Sequence, residues 1–160
     1  MQLLSFFLTF GLVFFSAHGT AEESDFELQL PLGLNPNELK LPSVNPLTPS
    51  KIQLGRMLFA EKALSRQKKF ACTTCHIPEK SFTDGLRVAF GIEGKPLLRN
   101  TPTLINRAFS TRQFWDMRAA SLEDQIEQVI LSPDEMAGDF AAIVSFLKAD
   151  RDYTALFIQA

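Results

Sequence analysis

The sequence predicts an all-α fold, and three observations carry that reading. "DFAAIVSFLK" places Phe140, Ile143, Val144 and Leu147 at i, i+3, i+4 and i+7, the stripe of an amphipathic helix. Helix-start signals recur at Thr48-Pro49, at Thr101-Pro102 and at Ser121 with Asp124 three residues on. Nowhere do apolar and polar residues alternate over the length of a strand.

In chain order, Leu3 to Phe15 is a largely apolar run of 13 residues, too short to span a bilayer comfortably. Small residues follow it, so residues 1–21 read as a secretory signal peptide, with an uncleaved anchor as the alternative because no Lys or Arg precedes the run. Residues 22–47 carry Pro31, Pro36, Pro42 and Pro46 and read as an extended proline-rich arm. "LTPSKIQLGRMLFAEKAL" then opens a helix, with Thr48 as cap, Pro49 in the first turn and Ile52, Leu54, Leu58 and Phe59 as its apolar positions. Gly55 inside it suggests close packing, because glycine there costs about 1 kcal/mol against alanine. Residues 77–99, with Gly85, Gly91, Gly94 and Pro96, read as a long loop. Helices are expected from Thr101-Pro102, from Ser121 and from Asp139, and a last one from "DYTALF". The domain is expected to occupy residues 48–160, with no internal repeat and no low-complexity tract.

The full chain has 160 residues and a net charge of −2, and residues 1–21 contribute none of that charge. The remainder is enough for one domain with a real core, and its charge gives no sign of nucleic-acid binding. Export would put the chain in an oxidising compartment, and after cleavage it would not be an integral membrane protein.

Both cysteines, Cys72 and Cys75, and the one histidine outside residues 1–21, His76, fall in "CTTCH". C-x-x-C-H is the spacing of covalent haem attachment: two thiols one helical turn apart reach two vinyl groups, and the next residue offers an imidazole to the iron. A structural zinc site wants four ligands, and no second Cys or His pair exists. A thioredoxin-like pair wants a βαβ context, and a plain disulfide leaves His76 unexplained. Bis-histidine ligation within the mature chain is impossible, so Met57, Met117 and Met136 are the candidates for a sixth ligand, with core packing as their ordinary role.

"LGRMLFAEKALS", "CTTCH", "FTDG", "GIEGKPLLRNTPTL", "FWDMRAASLEDQ" and "SPDEM" follow one another in the order and spacing of the bacterial di-haem cytochrome c peroxidases, a group that includes the di-haem enzyme maturing tryptophan tryptophylquinone. The resemblance covers about residues 40–160 and matches the N-terminal, peroxidatic half of that family. It implies a cytochrome c-like haem domain with long loops, and a second haem domain beyond residue 160. It also implies a periplasmic location, hydrogen peroxide as substrate and a small electron-donor protein, a cytochrome or cupredoxin, as partner. Carried over by position, Cys72 and Cys75 would bind one c-type haem and His76 would be its proximal ligand. Trp115 would relay electrons between haems, Gln125 and Glu135 would form the distal pair, and Asn100 would contribute to a calcium ion held together with the second domain. Read without the family, Trp115 suits a core, Glu135 a solvated surface and Asn100 a turn.

Peroxide cleavage gives Glu135 a reason: a base must take a proton from one oxygen and return it to the departing one, while Gln125 can orient the peroxide. Two departures from the family pattern stand out. Many members carry a histidine in the Gly-rich loop that blocks the resting haem; here the position is Ile92, which cannot ligate iron, so an open site is expected. Gln128-Val129 stands where Gly-Pro commonly lines the distal pocket, which bears on pocket shape and on the placement of Glu135. A single-haem electron-transfer cytochrome, with Met117 or Met136 as sixth ligand, is the competing function.

Overall fold

A computed structural model describes residues 28–160. The expected signal peptide at 1–21 and the first residues of the arm lie outside the described residues. Five α-helices organise the rest: α1 Pro49–Ala60, α2 Cys72–Cys75, α3 Leu122–Leu131, α4 Phe140–Ala149 and α5 Arg151–Gln159. Short 3-10 turns and three isolated β-bridges are the other regular features, so the all-α expectation holds among the described residues. No helix there is long and apolar enough to cross a membrane.

The helix starts follow the capping chemistry. Thr48 accepts a hydrogen bond from the Lys51 amide at 3.2 Å, with Pro49 in the first turn where its missing N–H costs nothing. Ser121 accepts from the Asp124 amide at 3.1 Å, while the Asp124 carboxylate reaches back to the Ala120 amide at 2.7 Å rather than to that of Ser121. Asp139 and Asp150 cap α4 and α5 in the same way. Residues 28–47 run as mostly exposed chain with one 3-10 turn, Pro36–Glu38, and the Lys40 amide donates to the Ala108 carbonyl at 2.9 Å.

Two expectations need correction. No helix starts at Thr101: the segment to Asn106 is irregular, and only the 3-10 turn Arg107–Phe109 follows. The Thr101 hydroxyl, which would have capped a helix, instead donates to the Asp84 carboxylate at 2.9 Å in a buried tie, and Thr103 donates to the Ser81 carbonyl at 2.6 Å. Asn106, in the left-handed region at φ 59°, turns the chain out of any helical path. Gly55 is not a close-packing site either, since a Cβ there would meet nothing within 4 Å.

The core joins Leu64, Ile130, Met136 and Ile143, with Val129 and Leu147 packed against it, so the apolar faces of α3 and α4 meet the turn after α1. α5 packs against both α1 and α4. Its buried Tyr153 stacks edge-on to Phe146 with ring centroids 6.1 Å apart, and its hydroxyl donates to Glu61 Oε2 at 2.9 Å. Burial, with the Glu61 carboxylate as acceptor, pushes the Tyr153 hydroxyl up to about 12. Because the folded value is raised, this contribution to stability is complete below about pH 10, the ordinary tyrosine value. It is lost only as pH rises through about 12. Tyr153→Phe is expected to cost about 1 kcal/mol in urea denaturation, by the same amount at pH 6 and pH 9.

Candidate functional site

α2 is a single turn, and that turn is what places the thiols. Its N-cap, Ala71, has no side-chain acceptor, and its own amide is satisfied by Thr74 Oγ1 at 3.0 Å. Cys72 and Cys75 are free, half-buried thiols, and the His76 amide closes the turn on the Cys72 carbonyl at 2.9 Å. Burial pushes both thiols up, and the charges of Asp84 and Glu135 raise Cys75 further. A neutral sulfur suits this environment and a thiolate does not. No group of three or more His, Cys, Asp or Glu side chains among the described residues is arranged to hold a metal ion.

His76 is oriented by the turn that follows it. Its Nδ1 lies 2.9 Å from the Phe82 carbonyl oxygen, which can only accept, so Nδ1 carries the proton and Nε2 is the nitrogen available to a metal. Phe82 presents that carbonyl because Ser81 and Phe82 both take left-handed backbone, at φ 56° and 58°. The Phe59 ring from α1 sits 6.3 Å from the imidazole. A crevice of about 290 Å³ opens beside α2, lined by Phe70, Cys75, Ile77, Leu86 and Phe90 together with the charged Lys80 and Asp84. Two thiols one turn apart and an imidazole of fixed orientation fit a covalently held haem, and of the three only Cys75 lines the crevice.

Glu135 lies on the turn after α3, close enough to Cys75 for its charge to act there. It also lines a second cavity of about 530 Å³ with Arg118, Gln128, Leu131 and Ser132. It is half-buried, and burial raises its pKa above the usual carboxylate value; Arg118 pulls it down and Asp134 adds to the rise. Gln125 is half-buried on α3 but lines neither cavity, and its neighbour one turn on, Gln128, is the glutamine that shares a wall with Glu135. Gln128 Nε2 donates to Asp124 at 2.7 Å and its Oε1 accepts from Arg118 Nε at 3.1 Å.

Arg118 is the residue that sequence reasoning missed. Its guanidinium sits 3.4 Å over the Phe114 ring centroid and donates to both Asp116 oxygens, at 2.9 and 3.1 Å. The signal was the Asp-x-Arg pair inside "FWDMR", a short-range charge pair that only the fold turns toward the cavity.

Trp115 is 58% exposed, so it is not a core residue. Its Nε1 donates to the backbone carbonyl of Asn100 at 3.1 Å, and Arg99 donates to Asp116 at 2.9 Å alongside, so two expected site residues meet here. The Asn100 residue is exposed. Ile92 is 3% exposed and offers only an alkyl side chain. Among the methionines, Met136 is buried in the core cluster, whereas Met57 and Met117 are exposed.

A sequence profile of the di-haem cytochrome c peroxidases matches residues 49–160. The methylamine utilization protein MauG of Methylorubrum extorquens is 43% identical over 125 residues, which cover 78% of this chain and 35% of that protein. The cytochrome c peroxidase Ccp of Escherichia coli is 32% identical over 120 residues, covering 74% of this chain and 26% of that protein. The chain thus spans about a third of the length of the curated relatives it matches. Among solved structures, a MauG-like protein associated with microbial copper homeostasis superposes with a TM-score of 0.75 at 32% identity, over 84% of this chain and 41% of that one. The di-haem peroxidase BthA of Burkholderia thailandensis gives 0.60 at 25% identity, over 72% and 34%. By motif order, helical architecture and these matches, the chain belongs to the di-haem cytochrome c peroxidase family.

Proposed function

We propose that this chain is the peroxidatic haem domain of an exported, periplasmic di-haem peroxidase and carries one covalently bound c-type haem. The observation that carries the reading is Glu135: a half-buried carboxylate of raised pKa, whose charge reaches Cys75, at the wall of a cavity. Bound haem supplies the redox-active iron at which hydrogen peroxide is reduced to water. A Glu135 carboxylate oxygen would take the proton from one peroxide oxygen and hand it to the other, so that the second leaves as water. Complete reduction to two waters takes two electrons, delivered through the second haem domain from the donor protein, and two protons from solvent. Arg118, fixed by Asp116 and Gln128, keeps a positive charge near that carboxylate. The role of Gln125 in orienting peroxide rests on the family resemblance. The exposed indole of Trp115 suits a relay to a second haem domain, which a small donor protein would reduce. Trp115→Phe is expected to leave the first reaction with peroxide at its normal rate and to slow electron delivery in the complete protein, measured by oxidation of a reduced small cytochrome.

Asn100 supplies a single amide oxygen, and calcium takes six to eight oxygen ligands. Calorimetry on this chain alone is expected to show no tight calcium binding; a stoichiometric site lost in Asn100→Ala would contradict an ion shared with a second domain.

Burial of Met136 among Leu64, Ile130 and Ile143 weighs against Met136 as the sixth ligand of an electron carrier and leaves the exposed Met117 as its candidate. The absorption spectrum of the ferric, haem-loaded chain separates peroxidase from carrier. A high-spin spectrum is expected, and a low-spin spectrum with a methionine charge-transfer band would overturn the peroxidase reading in favour of the carrier.

A further inference from the structure

The turn that carries Glu135 is gripped on two sides by glycines that leave no room for a side chain. The turn itself is short and closed: the Glu135 amide donates to the Ser132 carbonyl at 3.2 Å, the Ala137 amide to the same oxygen at 2.7 Å, and the Gly138 amide to Ile130 at 2.7 Å. On the core side, a Cβ on Gly138 would lie 2.5 Å from the Leu64 carbonyl oxygen and 3.0 Å from Ile130 Cγ2. On the other side, a Cβ on Gly91 would overlap the Asp134 carbonyl oxygen and come within 2.8 Å of its carbon. Asp134 is the residue immediately before Glu135. Both clashing groups are backbone, which cannot swing aside as a side-chain end can.

The loop that brings Gly91 there is itself braced. Its two limbs are tied by Ala89 to Arg99 at 2.9 Å, Leu97 to Ala89 at 2.8 Å and Gly91 to Lys95 at 2.9 Å, and Ile92 is buried. Lys95 pairs with the Asp134 carboxylate across the same junction. That pair is exposed and contributes little by itself, so the backbone approach at Gly91 is the principal hold.

We propose that Gly91 is a positioning residue for Glu135: the 89–99 loop, seated on the Asp134 backbone, sets how far the carboxylate stands from the haem crevice. The proposal rests on the reading of Glu135 as the proton carrier. It makes the loop bearing Ile92 a fixed wall that supports the distal base. A side chain at position 91 must separate loop and turn, and misplacement of a reacting group by about 1 Å can cost about 100-fold in rate.

The test is stopped-flow mixing of hydrogen peroxide with haem-loaded ferric protein, as wild type, Gly91→Ala, Glu135→Gln and the double variant. Gly91→Ala is expected to slow the reaction at least about 10-fold with covalent haem and helical circular dichroism retained, and to add nothing in the Glu135→Gln background. A wild-type rate in Gly91→Ala, or the same slowing with and without Glu135, overturns the proposal. A wild-type rate in Glu135→Gln instead sinks the reading of Glu135. Hydrogen exchange on the unmodified haem-loaded chain tests the coupling without any variant. The Gly91 and Leu97 amides are expected to open together with those of Glu135 and Ala137, at one common free energy. Independent opening of the 132–138 turn overturns the proposal even where Gly91→Ala fails to fold.

Discussion

Glu135→Gln is expected to slow the reaction of the ferric, haem-loaded protein with hydrogen peroxide by about 10²–10⁴-fold, or roughly 3–5 kcal/mol of barrier, while the haem stays attached. The amide keeps the size of the carboxyl and loses its ability to take the proton. The variant is not expected to be slow because it unfolds. Burial raises the Glu135 pKa, so at neutral pH its charge is carried in the folded state at a cost, and removing the charge leaves stability unchanged or improves it. The sign follows from linkage: a carboxyl raised in the folded state favours folding below its unfolded pKa and loses that advantage as pH climbs through the folded value. Urea denaturation of both proteins at pH 7 checks this. The same raised pKa fixes the pH profile. The wild-type rate falls on acidification with a midpoint above that of an ordinary carboxylate, and the Glu135→Gln rate is flat over that range.

Replacing both thiols is expected to abolish covalent haem. Cys72 and Cys75 stand one turn apart on α2, held there by the bond from the His76 amide to the Cys72 carbonyl at 2.9 Å. Each thioether consumes one vinyl group. Cys72→Ala or Cys75→Ala therefore retains one link and leaves one vinyl conjugated with the macrocycle, shifting the reduced pyridine complex to longer wavelength. The double variant has neither link. After denaturation and extraction with acidic organic solvent, colour is expected to stay with the wild-type and single-variant chains and to leave the double variant completely. Colour leaving the wild type would disprove attachment. His76→Ala keeps both thioethers and alters only axial ligation, so its colour also stays with the chain.

What the residues reveal alone and what only folding reveals divide along sequence distance. Thr48-Pro49 and Ser121 with Asp124 act within a turn, and α1 and α3 start as those signals require, whereas of the Phe140, Ile143, Val144, Leu147 stripe only Ile143 and Leu147 reach the core and Phe140 and Val144 stay exposed. Thr101-Pro102 carried the same local signal and failed, because Asp84, 17 residues away, takes the Thr101 hydroxyl. C-x-x-C-H is legible for the same reason of proximity. The partner that selects the His76 tautomer is a backbone carbonyl, which no side-chain pattern marks.

The cavity wall that carries Glu135 is the least legible part. Gln128 looked like a disturbance of the pocket, yet it bridges Asp124 and Arg118 at the wall it shares with Glu135. The structure does not bring Gln125 to that wall. Gly55, Gly91 and Gly138 are indistinguishable as letters: the first faces open space, and the other two touch backbone on either side of the Glu135 turn.

The most direct measurement is a stopped-flow record of wild-type ferric, haem-loaded protein mixed with hydrogen peroxide. The account predicts a high-spin starting spectrum that changes at a rate proportional to peroxide concentration, because Ile92 offers no ligand and Glu135 is proposed as the base at an open face. A starting spectrum already six-coordinate and low-spin, unchanged by peroxide, would contradict it.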